Sequence, residues 1–203
     1  MQNLLFSNLF SPRSKSLPIP FAAVLCMVML SVSMPALAAD KTRVVVVDAE
    51  LVDDMKQRPS DPDKPANLKR TLRMQEQVIE GLELSDRYEI LQGEEVDAAI
   101  AEQRSHVSRL RDCSECARAI AAATGADIVF IPWAQIVSSL ILNQNLRGLD
   151  GETGEEVYGS YIDFRSNDDR SWQGATRYML ERFYKKYHEE VPDGLRDWVK
   201  QAE

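Results

Sequence analysis

Two histidines and three cysteines in 203 residues leave little material for several kinds of chemistry. His106 falls at the edge of one expected helix and His188 in another far along the chain, too few for a histidine-based centre, so no metal site is expected. There is no serine in the glycine setting of a nucleophile elbow, no phosphate-binding loop and no dinucleotide fingerprint, and no cofactor is expected. Acidic pairs such as Glu94-Glu95, Asp168-Asp169 and Glu189-Glu190 do not supply a hydrolase by themselves, because adjacent residues point different ways on a helix or strand. They read as solvated surface rather than as carboxylates converging across a cleft. No catalytic residue is assigned, and the chain is expected not to be an enzyme. No apolar run reaches the roughly 20 residues of a membrane-spanning helix, so stable membrane insertion is not expected either.

What the chain does have begins with a targeting pattern. Arg13 and Lys15 precede an apolar run from Phe21 to Met34, and Ala36-Leu37-Ala38 supplies the small residues of a signal-peptidase site. Residues 1–38 are expected to be a signal peptide, and residues 39–203 a single periplasmic domain with its core over about 42–190 and a short terminal helix at 193–201. Cys26 is a poor lipidation site because bulky Leu25 stands before it. Two of the 24 basic residues and none of the 32 acidic ones precede Ala38, so the remainder carries a formal charge of −10. That balance disfavours nucleic acid and anionic membrane surfaces as partners.

The stretch from Cys113 to Ile131 organises the domain. Asp112 is placed to cap a helix with Glu115 reaching back, which puts Cys113 at the first helical position. Cys113, Cys116, Ala117, Ile120 and Thr124 share one helical face, Gly125 suits a left-handed stop, and Ile128–Ile131 is a strand buried on both faces. Val44–Val47 reads as its buried neighbour. Asp53 to Pro65 reads as a loop, Leu68, Leu72, Val78, Ile79 and Leu82 as the face of a first helix, and Tyr88–Leu91 as a short strand. A second helix is expected from Gly93 toward Arg111 through Val96, Ile100, Gln103, Val107 and Leu110. Any strand running past Pro132 needs a bulge or an edge position. Leu140, Leu142 and Leu146 then alternate with Ile141, Asn143, Asn145 and Arg147, and Asp150–Gly154 turns into a partner strand at Val157–Phe164. Trp172, Ala175, Met179, Phe183 and Tyr187 mark a last long helix. The element order is β-α-β-α-α-β-β-β-α, with about five strands, in the α/β class.

This order resembles the periplasmic domain of the curli-export channel CsgG and the amino-terminal domain of TolB. The residues that carry it are Val44–Asp48, Tyr88–Leu91, Cys113-x-x-Cys116, Thr124–Val129 and Asp150–Gly154. Asp168–Trp172 before a helix looks more like a small family of secreted bacterial proteins of unknown function with the same core. The resemblance implies a mixed sheet with helices packed on it, used as a non-catalytic interaction or ligand-binding module of the cell envelope. The implied partner is another periplasmic or outer-membrane protein, and a homo-oligomer is compatible with it.

Two features remain for function. Cys113 and Cys116, an even pair in an oxidising compartment once Cys26 is removed, are expected to form a structural disulfide, while a helix-start CxxC leaves a thiol-redox protein as the alternative. Asn143, Asn145 and Arg147 on a polar strand face, with Trp172, form a candidate recognition strip. Intact-mass measurement of the exported protein should give a chain beginning at Ala39. A mass that still includes Met1–Ala38 would refute the cleavage.

Overall fold

A computed structural model describes residues 41–55, 64–138, 140–187 and 189–198. The signal peptide expected at 1–38, His188 and Val199 lie outside the described residues. Strands β1 (Thr42–Val46), β2 (Glu50–Asp53), β3 (Tyr88–Ile90), β4 (Ile128–Ile136), β5 (Leu142–Asp150) and β6 (Glu156–Phe164) make one sheet. Helices α1 (Lys64–Glu83), α2 (Glu94–His106), α3 (Ser114–Thr124), α4 (Asp169–Lys186) and α5 (Asp193–Asp197) pack on it, with a 3-10 turn at Leu110–Asp112. The order across the sheet is β3-β1-β4-β5-β6, with β2 also paired to β4. β1 runs parallel to β3 and β4, β2 parallel to β4, and β4, β5 and β6 form an antiparallel meander. The α/β class and the mixed sheet are as expected, with six strands where the sequence suggested five.

The extra strand explains Pro132. β4 is paired along its whole length with β5, yet its other side is shared by β1 and then β2. Between the pairs Val46↔Phe130 and Glu50↔Trp133, the three residues Val47–Ala49 stand opposite only Ile131 and Pro132. The amide of Val47 donates to the Phe130 carbonyl at 2.9 Å, so Phe130 faces β1 and Pro132, two residues on, faces the same side. There the imide nitrogen, which has no proton to donate, meets the break between the two strands. The proline therefore sits in a central strand at the one place where a donor is not needed.

Alternation divides the apolar residues between two cores. Val44, Val46, Phe130, Leu146 and Tyr158 face α1, α4 and α5, where Met74, Val78, Leu82, Met179, Phe183 and Leu195 complete the packing. Phe183 stands edge-on to Phe130 and Tyr158, with ring centroids 5.5 and 5.0 Å apart. Val45, Val47, Val129, Ile131 and Leu149 face α2, α3 and the 3-10 turn, against Val96, Ile100, Leu110, Cys116 and Ile120. α1 and α4 approach closely at Gly81: a Cβ there would lie 2.5 Å from a Leu180 methyl, and the Tyr184 hydroxyl donates to the Gly81 carbonyl.

Several local expectations are corrected. Leu68 and Leu72 are exposed, 47% and 57%, while the buried stripe of α1 is Asn67, Thr71, Met74, Gln77, Val78, Gly81 and Leu82. The polar members bury because they are bonded: Thr71 Oγ1 donates to the Asn67 carbonyl, and Asn67 Oδ1 accepts from Arg70. α2 stops at His106, and Val107 is extended, so Leu110 reaches the core through the 3-10 turn rather than on the helix. Cys113, not Asp112, caps α3: it is extended and its Sγ accepts from the Cys116 amide at 3.1 Å, while Glu115 pairs with Arg118. Asp53 ends β2, and Lys64 and Pro65 open α1, so the loop is shorter than expected at both ends. Gly125 does end α3 in the left-handed region, at φ 72°.

Val129 is fully buried between Val45 and Leu149 in the register. Val129→Asp buries a carboxylate with no partner and should lower stability by about 3 kcal/mol or more, a large share of the 5–15 kcal/mol typical of a domain. A thermal melt unchanged from the parent would show the strand to be misplaced.

Candidate interaction surface

The helices on the α2–α3 side cover only part of the sheet. Beyond the row Ile131↔Arg147↔Gly159 come two further rows on the same face, Trp133↔Asn145↔Tyr161 and Gln135↔Asn143↔Asp163. None of these six residues belongs to either apolar core. The 3-10 turn marks the limit of the cover: Arg147 donates to the Arg111 carbonyl and pairs with Glu156 at 2.8 Å, and Arg111 pairs with Glu50 at 2.9 Å with both side chains nearly buried. Past this polar seam the face is open, with Tyr161 63% exposed and Trp133 and Gln135 half-buried.

Asn145 stands at the centre of this face. Its backbone neighbours in the rung are Trp133 and Tyr161, and its side chain is only 9% exposed, yet the Nδ2 donor is buried without a hydrogen-bond partner. A buried amide left unpaired costs about 1–3 kcal/mol. The adjacent row is satisfied, since Asn143 donates to Asp163 and Gln135 to Asp54. The surface thus combines two aromatic side chains, an unsatisfied donor and a polar row, the composition that suits a recognition patch.

Of the residues singled out in the sequence, Asn143, Asn145 and Arg147 share this face. Trp172 does not. It is 3% exposed on the opposite side of the sheet, at the start of α4, with its indole donating to Asn167 and its carbonyl accepting from Gln144 and Thr176. That buried network fastens β5 to α4, so Trp172 serves the scaffold. Trp133, Gln135, Tyr161 and Asp163 were missed, although their alternation with buried Ala134 and Ile162 was a signal available once register was known.

Cys113 and Cys116 are joined in a disulfide with a Cα separation of 5.3 Å. Cys116 is buried and Cys113, partly buried, packs at the edge of the same core. The bridge joins the N-cap of α3 to its first turn. His106 pairs only with Glu102 on its own helix. Among the described residues no group of three or more His, Cys, Asp and Glu is placed to hold a metal. The titratable groups that do shift serve the framework. Asp150 is held below its usual range by hydrogen bonds from Thr153 and Glu152, which fix the β5–β6 turn. Burial first, and Glu189 second, push the Tyr88 phenol up, so it remains a neutral donor to Glu189 at 2.7 Å.

The fold and the surface define an α/β scaffold with one half-covered sheet face. The chain belongs to the family DUF3280, described as "Protein of unknown function (DUF2380)", whose model matches residues 42–183. No curated protein matches the chain. Solved structures similar to it include lipoprotein GNA1162 from Neisseria meningitidis, at 12% identity over 74% of this chain and 99% of that one, with a TM-score of 0.45. The hypothetical protein CT253 from Chlamydia trachomatis is similar at 13% identity over 71% and 96%, with a TM-score of 0.42. The LpoB C-terminal domain from Salmonella enterica follows at 12% over 64% and 87%, with a TM-score of 0.38. At these values the likenesses carry no functional argument.

Replacing Asn145 by leucine removes the orphan donor and adds a better strand former of similar volume. Asn145→Leu should therefore raise stability, by about 1 kcal/mol, in thermal or urea unfolding. A loss of stability would mean that the amide is bonded and the face is not built around an unsatisfied group.

Proposed function

We propose that this protein is a non-catalytic interaction module of the cell envelope, exported with removal of residues 1–38, that binds another periplasmic or outer-membrane protein on the open face of β4, β5 and β6. The single observation that carries this reading is the rung Trp133↔Asn145↔Tyr161, where an unpartnered buried amide lies between a half-buried and an exposed aromatic side chain. Stability is forfeited there, and a partner that offers an acceptor to Asn145 while covering both rings would recover it. The resemblance to the CsgG and TolB domains belongs to the same reading. No helix among the described residues is long and apolar enough to cross a membrane, which agrees with a protein that meets its partner in an aqueous compartment. The acidic balance of the chain favours a partner surface that is neutral or basic.

The thiol-redox alternative has less support, because Cys116 is buried in a core and the Cys113 sulfur caps α3.

The exported protein, immobilised and exposed to a periplasmic extract, should retain a defined partner. Trp133→Ala with Tyr161→Ala should reduce that retention at least tenfold while leaving the melting temperature within a few degrees, since neither side chain is in a core. Equal retention by the double variant would remove the face from the function.

A further inference from the structure

The outer edge of β6 is a second feature. β6 ends the strand order, so one side of it has no neighbouring strand among the described residues. Which groups it leaves open follows from the register. Phe130 turns its backbone toward β1, so Ile131, Trp133 and Gln135 turn theirs toward β5, and their partners Arg147, Asn145 and Asn143 turn back toward β4. Leu142, Gln144, Leu146 and Gly148 are then the β5 residues that bond β6, through Phe164, Ile162, Ser160 and Tyr158. Gly159, Tyr161 and Asp163 consequently direct both N–H and C=O outward. Toward the start of the strand the edge is closed, because the Tyr187 hydroxyl donates to the Val157 carbonyl at 2.7 Å. The free segment is Gly159–Asp163.

The two sides of that segment differ in chemistry. On the α4 side a cavity of about 330 Å³ is lined by Tyr158, Gly159, Ser160, Arg182, Lys185 and Lys186. Arg182, Lys185 and Lys186 are exposed, and no carboxylate pairs with any of them among the described residues, although Lys186 lies 5.2 Å above the Tyr158 ring. On the other side the Tyr161 ring is exposed. Successive residues of an added strand would face these two sides in turn. Three cations in a chain whose overall charge is −8 form a local field opposite in sign to the rest of the molecule.

We propose that the Gly159–Asp163 edge of β6 accepts an extended acidic segment of a partner as a seventh strand, its carboxylates facing Arg182, Lys185 and Lys186 and its alternate, apolar residues lying on Tyr161. Main-chain bonds to Gly159, Tyr161 and Asp163 supply the affinity, and the cations select the sequence. The same cations disfavour a second copy on this edge, since an antiparallel pairing would bring two basic groups together. The site shares Tyr161 with the open face, but its edge amides and the cations of α4 are its own, so their variants test it apart from Trp133 and Asn145.

The probe is a blocked heptapeptide alternating glutamate and valine, with a lysine–valine heptapeptide as its counterpart, added to the 15N-labelled protein. The glutamate peptide should bind at least tenfold more tightly than the lysine one and slow hydrogen exchange at the amides of Gly159, Tyr161 and Asp163. Gly159→Pro, which removes one outward donor at an edge position that tolerates proline, should weaken binding more than Gly159→Ala, whose Cβ must displace the Glu156 carboxylate but which keeps the donor. Arg182→Glu with Lys185→Glu should weaken it with the backbone intact, which keeps the test valid if the proline variant does not fold. Equal binding of the two peptides, no binding at about millimolar concentration, protection confined to other amides, or self-association through β6 would each overturn the proposal.

Discussion

The pairing of β4 is the constraint on which the rest of the structure depends. It lies between β5 on one side and β1 followed by β2 on the other, and it contains a proline that cannot donate. Both conditions are met because β1 ends and β2 begins opposite Pro132. The first half of β4 lies beside β1, is apolar on both faces and is covered by helices on both. Its second half lies beside the short, half-buried β2 and keeps helical cover on one face alone. The break in pairing and the change in cover fall at the same place along the strand, so the exposed rows begin where the sheet changes partner.

The parts of this arrangement that were legible in the sequence are those set by local pattern. Unbroken apolar runs such as Val44–Val47 and Ile128–Ile131 announce strands covered twice, and Gly125 after a regular helical face announces a stop in the left-handed region. The differences have separate causes, and the one at α1 is that polar residues there are buried. α1 buries Asn67 and Thr71 because each has a hydrogen-bond partner, so the leucines beside them turn outward. Cys113 takes the capping role from Asp112 because its sulfur, tied to Cys116, accepts from the Cys116 amide in the first turn, and Asp112 is held instead in the 3-10 turn near Arg109 and Arg111. β2 was hidden because a four-residue strand beside a break has no period long enough to read.

The candidate surface was half legible for a related reason. Asn143, Asn145 and Arg147 lie in one strand and their alternation with leucines is visible along the chain. Trp133 and Tyr161 lie in two other strands, and only the register of the meander brings them to either side of Asn145. Trp172 shows the converse. An aromatic residue after a polar loop resembles a binding residue in sequence, but Gln144 and Thr176 bind its carbonyl from below the sheet and make it part of the core. The stability forfeited at Asn145 is local, and the satisfied pairs around it, Arg147 with Glu156 and Asn143 with Asp163, keep the rows in place.

The central claim is that a partner docks on the open face of β4, β5 and β6. Site-specific photo-cross-linking in the producing cells tests it most directly, with a photoreactive amino acid replacing Tyr161 in one strain and Tyr178, an exposed residue on α4, in another. The account predicts a discrete protein adduct from position 161 and none from position 178. An adduct from position 178 with none from position 161 would place the partner on the helical layer and contradict it.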